Sequence, residues 1–113
     1  MGPLKTANKI CKKLSCQYGI VNPPEVVPLK YSRLGNNVAL GYYDNGGNTI
    51  EINKYLFTLW PMDRIRDIIS HELVHARCYQ DYGHGGHGKR FKELCRTFGL
   101  DEDTARAVSR KEG

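Results

Sequence analysis

From Leu4 to Tyr18 apolar side chains return at steps of three and four (Leu4, Ala7, Ile10, Cys11, Leu14, Tyr18), with lysines at 5, 9, 12 and 13 between them. That is the period of a helix with one buried stripe, so an amphipathic helix over 4–18 is the first element predicted. Gly19 can stop it, and Pro23, Pro24 and Pro28 forbid its continuation, because proline lacks the N–H and collides with the preceding turn. Beyond Ile20 the pattern becomes β-like. The stretches 26–32, 38–43 and 49–53 are rich in Val, Ile, Thr and Tyr and read as three short strands. Gly35-Asn36-Asn37 and the run from Asp44 to Asn48 separate them, with residues that tolerate the positive φ of tight turns. An antiparallel meander is the simplest connection. In the last strand Ile50 and Ile52 alternate with Thr49, Glu51 and Asn53, so one face packs inward and needs a helix against it.

That helix is expected over 61–82. Pro61 suits a first helical position, Asp63 and Asp67 lie near the positive end, and Ile65, Ile68, Ile69, Leu73, Val74, Ala76 and Cys78 clothe most of the cylinder,. A central, largely buried helix follows from this. Gly83, Gly85, Gly86 and Gly88 then form a loop, a third helix spans 89–98 before Gly99, and Asp101 caps a short charged helix over 101–110,. The expected fold class is α+β, in one domain over 1–113.

Composition narrows the function classes. With 40% hydrophobic residues in 113, the chain can build one core and is not a disordered tail. No apolar run approaches the roughly 20 residues of a membrane span. The N-terminal residues show no apolar stretch leading to a small-residue cleavage site. The four cysteines at 11, 16, 78 and 95 include no CxxC pair, which argues against a zinc ribbon or disulfide framework. An intracellular, monomeric protein that engages no membrane is expected. The net charge is +5, and residues 1–40 hold six Lys/Arg against Glu25. Such a face attracts polyanions or simply solvates a helix.

The central helix carries His71-Glu72-Leu73-Val74-His75, which is HExxH. Positions i and i+4 project from one helix face, so His71 and His75 can offer two imidazole nitrogens to one Zn²⁺. Glu72, next to His71, can accept a proton from a water activated by that metal. Metal-assisted amide hydrolysis requires these residue types at this spacing. A catalytic zinc takes three protein ligands and keeps one position open. The metzincin pattern would put the third where Asp81 stands and a glycine where Cys78 stands, so that family is excluded. The remaining donors are His84 and His87 in the glycine loop and Glu93 on the next helix. Glycines beside His87 let the loop turn back, which favours a histidine there. Tyr42, Tyr43, Tyr79 and Tyr82 are candidates to stabilise an oxyanion. Trp60, Tyr31, Tyr42 and Tyr43 are candidates to stack on bases. Arg77, Lys89, Arg90, Lys92 and Arg96 are candidates to track phosphates.

HELVH at 71–75 together with Gly86-His87-Gly88-Lys89-Arg90-Phe91 resembles the SprT-like domain of the SprT and Spartan metalloproteases, with its Gly-His-Gly-x-x-Phe third-ligand motif. The order of helix, small sheet, the bend at Leu59-Trp60-Pro61 and the HExxH helix is similar to that family over 4–98. The resemblance implies a mini-zincin with a three-stranded antiparallel sheet. It implies His71, His75 and His87 as zinc ligands, Glu72 as general base and Phe91 as the anchor of the third helix. It also implies protein substrates bound or crosslinked to DNA, single-stranded DNA as a partner, and self-cleavage. Many relatives add a zinc ribbon; without CxxC this chain is expected to be a protease domain or a minimal member. Two rivals are a DNA-independent metallopeptidase that removes one regulatory protein, and a non-enzymatic DNA-binding domain stapled by zinc.

Overall fold

The structure, a computed structural model, describes residues 2–28, 41–54, 56–84 and 88–100. The expected turn at 35–37, Tyr31, His87 and the helix over 101–110 lie outside the described residues.

Helix α1, Pro3–Gln17, has proline in its first turn, where the missing N–H costs nothing,. Ala7, Cys11 and Leu14 form its buried stripe, and Lys5, Lys9, Lys12 and Lys13 are all exposed. Gly19 follows at φ +69, a left-handed residue that turns the chain away. Three strands come next: β1, Glu25–Pro28, β2, Gly41–Asp44, and β3, Thr49–Ile52. A four-residue helix, α2, Leu56–Leu59, precedes α3, Met62–Tyr82, and α4, Lys89–Thr97, closes the described part. Pro61 is the residue just before α3, in extended conformation, rather than its first turn. Gly83 at φ +78 ends α3 as the loop glycines predict,.

The sheet corrects the sequence expectation of an antiparallel meander. Its order is β1-β3-β2. β1 pairs parallel with β3, Val26 opposite Ile50, while β2 pairs antiparallel with β3, Tyr43 opposite Ile50. Pro28 and Gly41 both stand opposite Ile52, so the chain leaves β1 and enters β2 at the same end of the sheet with β3 between them. The intervening segment 29–40 is too long for a tight hairpin, whose loops run about two to five residues. The most apolar strand takes the centre: Ile50 and Ile52 are fully buried. The proline-bearing β1 takes an edge, where a missing ladder donor is tolerated. Asn8 on α1 completes that edge, its side-chain amide donating to Val26 O at 3.0 Å and accepting from Val26 N at 2.8 Å.

One core cluster joins α1, the sheet and α3 through Leu14, Val26, Ile50, Ile52, Ile65, Ile68, Ile69 and Leu73. A smaller one, Val74, Cys78, Phe91 and Cys95, holds α4 to the other side of α3. α3 is thus covered on both flanks, with every residue from Ile68 to Ala76 buried. Arg77 and Gln80 fix its C-terminal half to the end of α1. Arg77 Nη1 donates to Tyr18 O at 2.6 Å, and Gln80 Nε2 donates to Gly19 O at 3.0 Å. Tyr18 stacks on Phe98 at 4.3 Å, tying α4 into the same junction.

Candidate metal centre

The HExxH residues occupy the middle of α3, where the helix passes between its two apolar flanks. His71, Glu72 and His75 are buried. The imidazoles meet edge to face with centroids 5.0 Å apart, as i and i+4 on one face require. The Glu72 carboxylate oxygen Oε2 lies 4.0 Å from His71 Nε2, so the carboxylate flanks a nitrogen of the candidate pair. Phe91 lies against both rings, 5.0 Å from His71 and 4.6 Å from His75 between centroids. The predicted anchor of α4 is therefore also an apolar backing for the pair, a contact the spacing alone did not reveal.

This donor set suits a divalent cation of the zinc type. Two neutral imidazoles supply borderline-soft nitrogen donors, and a carboxylate removed from water costs several kcal/mol unless a neighbouring positive charge offsets it. Among the described residues no group of three His, Cys, Asp or Glu side chains converges on one point. His71 and His75 come together, and His87 lies outside the described residues. The other two candidates do not join the pair in such a group. Glu93 is half exposed and reaches Lys89 at 4.0 Å along α4; His84 is exposed, its ring 6.5 Å from Tyr82.

The tyrosines divide into two groups. Tyr43 OH donates to Asn48 Oδ1 at 2.9 Å. Tyr42 OH donates to the Glu51 carboxylate across the β2–β3 ladder, and that acceptor, with some burial and nearby negative charge, pushes the phenol up to about 12. Both hydroxyls are engaged within the sheet. Tyr79 and Tyr82 stand on α3, Tyr79 with its ring 5.7 Å from Tyr43. Of the basic residues, Arg77 is taken up internally by Tyr18 and by Asp81, 2.9 Å from its Nε. Lys89 and Arg90 are exposed at the start of α4, and Lys92 is half-buried. The Arg90 guanidinium sits 4.0 Å over the Tyr82 ring. Trp60 is covered in the same way by Arg64 at 4.4 Å.

β2 borders α3 closely. A Cβ on Gly41 would stand 2.9 Å from Glu51 O and 3.0 Å from Ile68 Cγ2, so only glycine lets the strand approach the helix this near. Among the described residues no helix is long and apolar enough to cross a membrane. None of the four cysteines is in a disulfide.

A solved structure with the same fold is the metallopeptidase zymogen of Methanocaldococcus jannaschii jannalysin, at TM-score 0.63 and 15% identity, over 90% of this chain and 88% of that one. No curated protein sequence matches this chain. The profile of the SprT-like family matches residues 7–109, spanning α1, the sheet, the HExxH helix and α4. The chain belongs to the SprT-like family.

Proposed function

We propose that this chain is a zinc-dependent metalloendopeptidase acting on proteins bound or crosslinked to DNA. The observation that carries the hydrolytic reading is the buried pair His71 and His75, one turn apart, with the Glu72 carboxylate 4.0 Å from His71 Nε2. Family membership and the metallopeptidase that shares the fold support it. Bound zinc supplies Lewis acidity, polarising a carbonyl and bringing the pKa of water toward neutrality. His71 and His75 would hold the ion through ring nitrogens, with His87 as third ligand from its place in the Gly-His-Gly-x-x-Phe motif. Glu72 accepts the proton of the attacking water on its carboxylate and returns it to the leaving amine. Phe91 and the helix flanks exclude competing water. An extended substrate pairs with β2, an edge strand among the described residues, main chain to main chain, which gives sequence-tolerant recognition.

The DNA side of the proposal rests on the family resemblance and on charge. Lys89, Arg90 and Lys92 cluster at the start of α4, beside the candidate metal centre, and α1 presents four exposed lysines. Single-stranded DNA would bring substrate and protease together, and self-cleavage follows when another copy is the nearest chain. Four cysteines with no disulfide among them suit a reducing, intracellular setting.

The test is cleavage of a basic DNA-binding protein by the zinc-loaded chain, with and without single-stranded DNA, beside Glu72→Gln and His75→Ala. Glu72→Gln should keep its metal and lose activity by roughly 10²–10⁴-fold, the usual worth of a general base. His75→Ala should lose the metal as well. Cleavage that is equal without DNA would favour removal of one particular protein. Full function in Glu72→Gln would make the zinc structural and overturn the enzyme.

A further inference from the structure

Between the C-terminal end of α3 and the start of α4 lies a cavity of about 270 Å³. It is lined by Cys78 and Tyr82 from α3, by Phe91 from α4, and by the exposed His84, Gly88, Lys89 and Arg90, which mark its mouth. The size is below the roughly 300–1,000 Å³ of sites for whole small molecules and fits one large side chain. Phe91 joins it to the candidate metal centre, because the ring that forms one wall is also the ring 4.6 Å from His75. The lining is mostly apolar, whereas the mouth is cationic. Arg90 lies flat on Tyr82 at 4.0 Å, so its charge is held at the entrance by a cation–π contact, and Lys89 adds a second charge with its side chain 90% exposed.

We propose that this cavity is the subsite for a substrate side chain close to the scissile bond, that it takes a large apolar residue, and that Arg90 excludes lysine and arginine from it. The inference rests on the peptidase reading above. An apolar side chain entering the cavity leaves water for the Cys78, Tyr82 and Phe91 surfaces, a gain of about 1.5–3 kcal/mol for full burial. A lysine or arginine would bring a like charge under Arg90 and lose hydration on the way.

Two measurements separate this inference from the reading beneath it. In the first, the zinc-loaded chain digests a mixed peptide library, and residue frequencies around each cut are read for the wild type, Arg90→Gln and Tyr82→Ala. The wild type should enrich Leu, Met and Phe at one position beside the cut and deplete Lys and Arg there at least tenfold. Arg90→Gln should restore Lys and Arg at that position alone, and Tyr82→Ala should broaden the accepted sizes. A flat profile, or one that neither variant alters, overturns the subsite while the peptidase stands. So does an Arg90→Gln variant that changes only oligonucleotide binding, which would put Arg90 on the nucleic-acid path.

In the second, zinc-loaded Glu72→Gln is titrated calorimetrically with peptides that differ only by Leu or Lys at the selected position, or at each position in turn if the library stays uncut. Leu should bind at least tenfold more tightly, and Arg90→Gln in the same background should narrow the gap. An uncut library with this binding difference would remove the peptidase and keep the side-chain pocket. Equal binding at every position overturns the pocket.

Discussion

Cys11 and Cys16 stand five residues apart on α1 in opposite environments, one buried and one exposed. Burial pushes the Cys11 thiol up from 9.0 to about 11, and its Sγ donates to Pro24 O at 3.4 Å. The folded chain therefore holds this proton through the range where the unfolded chain releases it. The resulting stability is fully present below pH 9 and is lost as pH rises from about 9 to 11. Urea unfolding across that range should show the midpoint holding and then falling, and Cys11→Ala should lessen the fall; an unchanged slope in the variant would refute the assignment. At the same scale, the meeting of His71 and His75 on one helix face was legible because an i, i+4 spacing on a helix is a local fact. The placement of Arg77 was not. Its use by Tyr18 O, 59 positions away in sequence, depends on where α1 ends against α3, which no local pattern encodes.

Elements repeat that division. α1, α3 and α4 match their expected spans to within a few residues, since hydrophobic period, proline and glycine all act within a turn or two of the residues concerned. The sheet order was misread because turn-forming residues describe only the next connection. Asp44 to Asn48 do make the β2–β3 turn, but nothing local states that β3 will insert beside β1. The cavity between α3 and α4 was hidden for the same reason, since it exists only once α4 has a direction. Gly41 shows how tightly the layers meet. Gly41→Ala would place a methyl 2.9 Å from Glu51 O and 3.0 Å from Ile68, and moving either backbone or helix should cost about 1–3 kcal/mol. Chemical denaturation should show this loss, accompanied by weaker cleavage if β2 is the substrate's pairing edge. Alanine at the exposed Gly2, whose Cβ would meet nothing within 4 Å, is the control and should change little.

At the scale of the whole molecule the +5 charge makes a prediction about conditions. If three phosphates are neutralised, affinity for single-stranded DNA should fall by roughly twentyfold between 50 and 200 mM salt, following the counterion slope for single strands. Fluorescence anisotropy at several salt concentrations measures it, and a flat response would remove phosphate contacts from the account. Peptide binding should vary far less, because apolar burial carries no such dependence. Phe91 finally has a meaning for the molecule as a unit. It belongs to α4 but leans on two imidazoles of α3, so if that pair holds an ion as proposed, the docking of one helix and the capture of the ion by the other are linked equilibria. By thermodynamic reciprocity, whatever factor the ion adds to the docked population is the factor docking adds to affinity for the ion. The last helix described is in that sense a gauge of occupancy.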